Sequence, residues 1–422
     1  MTLKEAALAY HCLDGKPGKI SVEATKPLES QADLSLAYTP GVAEPVKEIM
    51  RDPQAVYQYT AKGNLVAVIS NGTAILGLGN HGALAAKPVM EGKGVLFKKF
   101  AGVDVFDIEV NELDPDAFIR IVAGIAPTFG GINLEDIKSP ECFYIEKQLQ
   151  QMLDIPVFHD DQHGTAIVLG AAFLNALEIV GKKPDQVKVV FSGAGAAAIA
   201  CARHLLRIGV CKENIWMVDL HGLVYIGRKE EMFLEKEIFA QGYQPATLGQ
   251  VIDGADVFIG LSAADVLKPE MVLKMNANPI IFAMANPNPE IDFNLAKQTR
   301  LDAVVASGRS DFPNQINNVL CFPFLFRGAL DVRASEINDE MKMAASQALA
   351  ALAHEPISAE MLQLYGVKEL SFGRDYLLPK ALDKRVCLHV ASAVALAAMQ
   401  SGVARVQVDM DTYKGCLREN YG

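Results

Sequence analysis

The chain has 422 residues, half of them apolar and about a fifth charged, with a net charge of −11. That length exceeds what a single core comfortably fills, so two domains are expected. The acidic balance and the dispersal of Lys and Arg exclude a phosphate-backbone groove, leaving a small molecule rather than nucleic acid as partner. The seven cysteines form no CxxC pair and read as reduced thiols. The N-terminus lacks a signal-peptide plan, and no uninterrupted apolar run has membrane-spanning length, so the protein is expected in the cytoplasm with no membrane partner.

In chain order, the first thirty-odd residues mix Pro, Gly and charge and read as an arm. From Leu65 to Val110, apolar runs (NLVAVIS, VDVFDIEV) alternate with helical stretches, the pattern of an α/β unit. A long apolar helix starts after Phe158, followed by strand, glycine turn, helix and strand across VKVVFSGAGAAAIACARHLLRIGV and NIWMVDL. ADVFIGLS, PIIFAMAN and AVVASG continue as buried strands of a parallel sheet. The last eighty residues are mainly helical. The fold class expected is α/β: an N-terminal α/β domain (1–157), a doubly wound, Rossmann-like parallel-sheet domain (158–390) and a helical C-terminal segment (391–422).

Gly193-Ala194-Gly195-Ala196-Ala197-Ala198 follows the strand VKVVF and opens a helix. The first glycine makes the turn, the second admits a pyrophosphate, and the small third position, Ala198, packs helix on strand. The next strand ends in Asp219, placed to meet an adenosine ribose. Tight packing is the bland alternative. A second match, Gly77 to Gly82, is followed by a helix that Pro88 is expected soon to interrupt and by a strand with no clear ribose acid, so it reads as a structural or substrate-side turn. His81 and His163 have no partner at readable spacing and read as structural or surface groups.

Glu135-Asp136 and Asp160-Asp161 each follow a strand-like segment. Carboxylates converging from strand ends repel unless a hard divalent cation takes them as ligands. Helix capping by Asp161 is the competing reading. Lys93, among small neighbours, is a candidate base if a nearby cation lowers its pKa, and Tyr38, on a turn, is a candidate donor. On spacing alone they read equally as a solvated lysine and a packed tyrosine.

Eight ordered motifs carry a resemblance. They are YTPGVA (38–43), GLGN (77–80), EGK (91–93), NLEDI (133–137), FHDDQHGT (158–165), SGAGAA (192–197), ANPNPE (285–290) and FPNQINNV (312–319). Together they resemble the bacterial malic enzymes, most of all the malic half of hybrids that carry a phosphotransacetylase-like second domain. The chain stops about where those hybrids enter that domain. The resemblance implies a malic N-terminal domain, an NAD(P)-binding domain, and oxidative decarboxylation of malate to pyruvate and carbon dioxide with Mg2+ or Mn2+ and NADP or NAD. It implies Tyr38 as proton donor, Lys93 as proton acceptor with Asp160 supporting it, and Glu135, Asp136 and Asp161 as metal ligands. Asn286 and Asn318 match cofactor- and substrate-facing asparagines, with Asn317 beside them and Lys93 also at the substrate.

Larger relatives have a malate-binding arginine where this chain has Ala74. Asp219 by its charge favours NAD, whereas the resemblance favours NADP. The family's lysine near the ribose is His221 here, so Arg228 or Lys229 would have to offset the acid. A homodimer or higher homo-oligomer is expected. The alternatives are a 2-hydroxy-acid dehydrogenase that does not decarboxylate, and a non-catalytic nucleotide sensor.

Overall fold

The computed structural model describes residues 2–421. The N-terminal arm comprises α1 (Leu3–Tyr10), α2 (Gln31–Ala37), α3 (Ala43–Arg51) and the short α4 (Val56–Tyr59), none with a buried residue. The first sheet is fully parallel, in the order β2-β1-β3-β4. It is built from β1 (Leu65–Ser70), α5 (Ala83–Ala101), β2 (Asp104–Glu109), α6 (Pro115–Ile125), β3 (Gly131–Leu134), α7 (Glu141–Met152) and β4 (Val157–His159). Every residue of β1, β3 and β4 is buried, which explains their largely apolar sequences: a parallel strand covered on both faces has no solvent-facing side.

From β4 the chain passes directly into α8 (Asp160–Val180). Among the described residues this is the one helix long and apolar enough to cross a membrane. It is mostly buried, as a core helix is. The second sheet has the order β10-β9-β8-β5-β6-β7 and is parallel except for β7. Its elements are β5 (Val189–Ser192), α9 (Ala196–Ile208), β6 (Ile215–Asp219), β7 (Gly222–Leu223), α10 (Leu234–Glu237), α11 (Leu248–Val251), β8 (Val257–Gly260), α12 (Pro269–Val272), β9 (Ile280–Ala283), α13 (Phe293–Thr299) and β10 (Val304–Ser307). The helices α14 (Phe322–Asp331), α15 (Asp339–Leu352), α16 (Ala359–Leu364), α17 (Arg385–Gln400) and α18 (Met410–Tyr421) complete the chain.

Three expectations are corrected. The 157/158 boundary falls inside β4, which pairs with β3 and belongs to the first sheet. The 390/391 boundary falls inside α17. The chain after β10 returns to the first domain: Arg327 donates to Asn64 Oδ1 (2.6 Å), and Phe97 of α5 packs on Phe322 and Phe326 of α14. The C-terminal helices therefore fasten both units rather than forming a separate tail. Third, Pro88 lies within α5 without ending it. The hydrogen bond a proline omits there is to the carbonyl of Leu84, in the helix's first turn, where Leu84 is 89% exposed and water can serve that oxygen.

Candidate active site

In both sheets the chain runs from a central strand to one side and then the other, and the crevice at such a switch lies beyond the carboxyl ends of the strands. In the first sheet that point lies between β1 and β3. β3 ends at Leu134 and delivers Glu135 and Asp136; β4, beside it, ends at His159 and delivers Asp160 and Asp161. Oxygens of Glu135, Asp136 and Asp161 lie within 4.8 Å of one another. Asp136 adopts φ 53°, in the left-handed region, so its side chain turns inward while its N–H donates to Asp161 Oδ2 (2.8 Å). Asp161 is thus engaged with the neighbouring acid's backbone, and α8 begins at Asp160 rather than near Gly164, so the capping alternative does not describe it.

Lys93 occupies the buried face of α5, in register with Ala86, Met90 and Phe97. Its ammonium pairs with Asp160, lies 3.1 Å from Glu135 Oε1, and rests 4.3 Å over the Phe322 ring. Asn318 donates to the same Asp160 oxygen (2.6 Å). Gly164, one turn along α8, allows this arrangement: a Cβ there would lie 1.9 Å from Asp160 Oδ1.

Burial and crowding govern the charges. Burial pushes Glu135 and Asp160 up to about 7 against the pull of Lys93. Burial, with Asp161 and Glu135 beside it, pushes Asp136 up to about 8, and burial also raises Asp161. Burial alone would lower Lys93, but Asp160, Glu135 and Asp161 outweigh it and hold the ammonium above its usual range. The expectation of a lowered lysine therefore requires positive charge among those acids. The residues fit a divalent cation: the donors are hard oxygens, and the buried Asp136 Oδ2 has no hydrogen-bond partner among the described residues.

A cleft of about 800 Å³ opens at the glycine turn of the second sheet. It is bordered by Ser139 from the first domain, by Gly193, Ala194 and Gly195, and by Asp219 and Lys236. Gly193 has φ +111°, and a Cβ on it would lie 2.4 Å from the Leu261 carbonyl. Gly195 precedes α9 without a side-chain cap, so the N–H groups of Ala196, Ala197 and Ala198 begin a helix left open to an anion. Asp219 ends β6 as expected, but it is not a free acid. Arg228 grips it through both terminal nitrogens (Nη1 at 2.8 Å), and Lys236 Nζ lies 3.0 Å away. Despite burial, these groups hold its carboxyl below the usual range. Lys229 makes no contact with Asp219; its backbone N–H donates to Glu230.

The other expected groups are more dispersed. Asn286 follows β9, with its carbonyl against the Gly77 turn. Asn317 uses its side-chain oxygen to accept from Val319 N (3.0 Å), capping the turn that presents Asn318. Tyr38 ends α2, is 68% exposed and makes no side-chain hydrogen bond or ring contact within the described residues. Among the described residues no hydrogen bond, ion pair or ring contact joins it to Lys93. The Gly77–Gly82 segment forms a turn closed by Ile75 N to Gly79 O (2.9 Å), with His81 bonded to Leu78 O. His163 bonds to Glu146 (3.0 Å).

Residues 17–150 match the malic enzyme N-terminal domain and residues 162–372 the malic enzyme NAD binding domain. The chain belongs to the malic enzyme family. It is 59% identical to the NADP-dependent malic enzyme of Salmonella typhimurium over 99% of this chain and 55% of that protein. It is 56% identical to that of Halomonas elongata, over 95% of each. It thus spans about half the length of several curated relatives it matches and nearly all of another. The crystal structure of the Pyrococcus horikoshii malic enzyme is similar with a TM-score of 0.90 at 46% identity, covering 99% of this chain and 95% of that one.

Two residues escaped the sequence reading. Lys236 lies 17 positions beyond Asp219 with no motif to mark it. Gly164, by contrast, carried a signal: it stands four residues after Asp160 in a helix, where only a missing Cβ leaves room for a side chain curling back.

Proposed function

We propose that the protein catalyses oxidative decarboxylation of malate to pyruvate and carbon dioxide. The observation supporting this is the convergence of Glu135, Asp136 and Asp161 beside Lys93, just past the carboxyl ends of β3 and β4. Glu135, Asp136 and Asp161 would hold Mg2+ or Mn2+, which when bound supplies a Lewis acid for the C2 oxygen. The Gly193–Ala198 turn, Asp219 and Asn286 would hold the dinucleotide, whose nicotinamide supplies the hydride acceptor.

Within this scheme Lys93 accepts the C2 hydroxyl proton, and Asp160, oriented by Asn318, stabilises the resulting ammonium. Asn317 and Asn318 face the substrate. Tyr38 supplies the proton that C3 gains after carbon dioxide leaves. NADP is the preferred cofactor on this reading: Arg228 and Lys236 neutralise the acid that would repel a 2′-phosphate, and Lys236 borders the cleft. The working unit is a homodimer. Leu8, Leu36, Val46 and Met50 leave the arm with apolar surface that a second copy would cover, fixing Tyr38 with it. The seven free thiols suit the cytoplasm.

The test supplies malate, Mn2+ and each cofactor, and follows reduced nicotinamide and carbon dioxide together. Equal amounts of both, with higher catalytic efficiency for NADP, are expected. Reduction without carbon dioxide would make the protein a plain 2-hydroxy-acid dehydrogenase, and no turnover would make it a sensor.

A further inference from the structure

A second, smaller cavity of about 160 Å³ lies on the far side of the first turns of α8, enclosed by α8, α9 and α15. Gln162 and His163 come from α8, Arg203 and Arg207 from α9, and Asp339 and Lys342 from α15. In a chain of net charge −11, three cations here share a single lining carboxylate. Asp339 pairs with Arg207 and stands 3.6 Å from Lys342. Glu146, the nearest acid behind the wall, is committed to His159 N, Gln162 and His163. Among the described residues the half-buried Arg203 guanidinium makes no hydrogen bond and no ion pair; its one contact there is with the Phe143 ring at 6.0 Å. Lys342 has a side chain 12% exposed and meets His163 Nδ1 at 3.3 Å.

Like charges gathered around an enclosed space repel one another unless an anion joins them. Two guanidinium forks and an ammonium are the donor set that tetrahedral oxyanions select, because several short N–H···O bonds form at once. We propose that this cavity binds a small phosphate-bearing anion, at a site separate from the cofactor cleft and the acidic cluster. Its volume admits a phosphate and excludes a nucleotide. The exposed Arg207 and half-buried Asp339 lie at its mouth, so a substituent on a phosphomonoester has room to project outward. His163 links the site through Glu146 to the turn carrying Asp160 and Asp161, and Arg203 reaches toward the cofactor cleft through Phe143 and Phe233.

The experiment titrates the full chain, saturated with NADPH so that the Gly193 turn is occupied, by calorimetry at constant ionic strength. The probes are inorganic phosphate, methyl phosphate and succinate. One saturable phosphate site per chain is expected, weakened at least tenfold in Arg203→Gln and further in Arg203→Gln/Arg207→Gln, with circular dichroism unchanged. Ala200→Leu, which fills the cavity from α9 without touching a charge, is expected to abolish binding independently. Equal affinity for methyl phosphate assigns the site to phosphomonoesters as well as to free phosphate; loss of affinity restricts it to the free ion. No saturable binding, affinity unchanged in all three variants, or succinate binding as tightly as phosphate overturns the proposal.

Discussion

Glu146 is the hinge-pin of the corner that delivers two of the acids, and its replacement by Gln tests that role. The side chain is buried on α7. Its two oxygens accept from His159 N (3.0 Å), Gln162 Nε2 (3.2 Å) and His163 Nε2 (3.0 Å). Burial alone would raise its pKa, but His163, Lys342 and His159 bring it from the usual 4.5 down to about 2. A shift of that size corresponds to about 3 kcal/mol of stabilisation of the ionised form in the fold. Burial keeps both histidines below their usual pKa, hence largely neutral at pH 7, so their full attraction is not expressed there. About 2 kcal/mol is therefore expected for Glu146→Gln at pH 7, since the amide keeps the shape but turns one acceptor into a donor facing donors. The sign with pH follows from the lowered value. The contribution is complete above the unfolded pKa near 4.5 and disappears as pH falls toward 2. Urea unfolding followed by circular dichroism at pH 7 and pH 3 is the assay. The variant is expected to unfold earlier at pH 7, with the gap narrowing at pH 3. Equal midpoints at pH 7, or a gap that widens in acid, would refute the reasoning.

Three further outcomes are expected. Gly164→Ala keeps its helix but drives Asp160 off Lys93 and Asn318, because the new Cβ would lie 1.9 Å from Oδ1; kcat is expected to fall about a hundredfold with circular dichroism unchanged. A near-native rate would show that the Asp160 contact is dispensable. Lys236→Gln removes one of the two cations on Asp219; KM for NADP is expected to rise about tenfold or more while KM for NAD changes little. Lys93→Ala is expected to lose most turnover while retaining cofactor binding, measured by NADPH fluorescence, and retained turnover would remove lysine from the scheme.

Much of the fold was legible because parallel strands covered on both faces must be apolar throughout: LVAVIS, VVFS, VFIG, IIFA and VVAS are all buried strands. The same geometry made the acids legible, since residues just past strand ends are the ones placed toward the crevice. Lys93 was legible from its motif, and its place at 86, 90, 93 and 97 on an apolar helical face offered a second signal. The domain limits were not legible, because the return of α14 to α5 is a tertiary event that leaves no break in local pattern. Pro88 misled for a related reason: the cost of a helical proline depends on whether water reaches the carbonyl it leaves free, and solvent exposure is not a local property. The offset of Asp219 was anticipated for Arg228 but not for Lys236, which only the chain's return through α10 brings close.

The central claim is that one divalent cation is held by acids from the ends of β3 and β4. Its most direct measurement is Mn2+ titration by electron paramagnetic resonance of the unsubstituted protein and of Asp136→Asn and Asp161→Asn. One bound ion per chain is predicted, with affinity reduced about a hundredfold in either variant, because each amide removes a negative charge from a three-carboxylate site. Mn2+ bound with undiminished affinity by both variants would contradict the account.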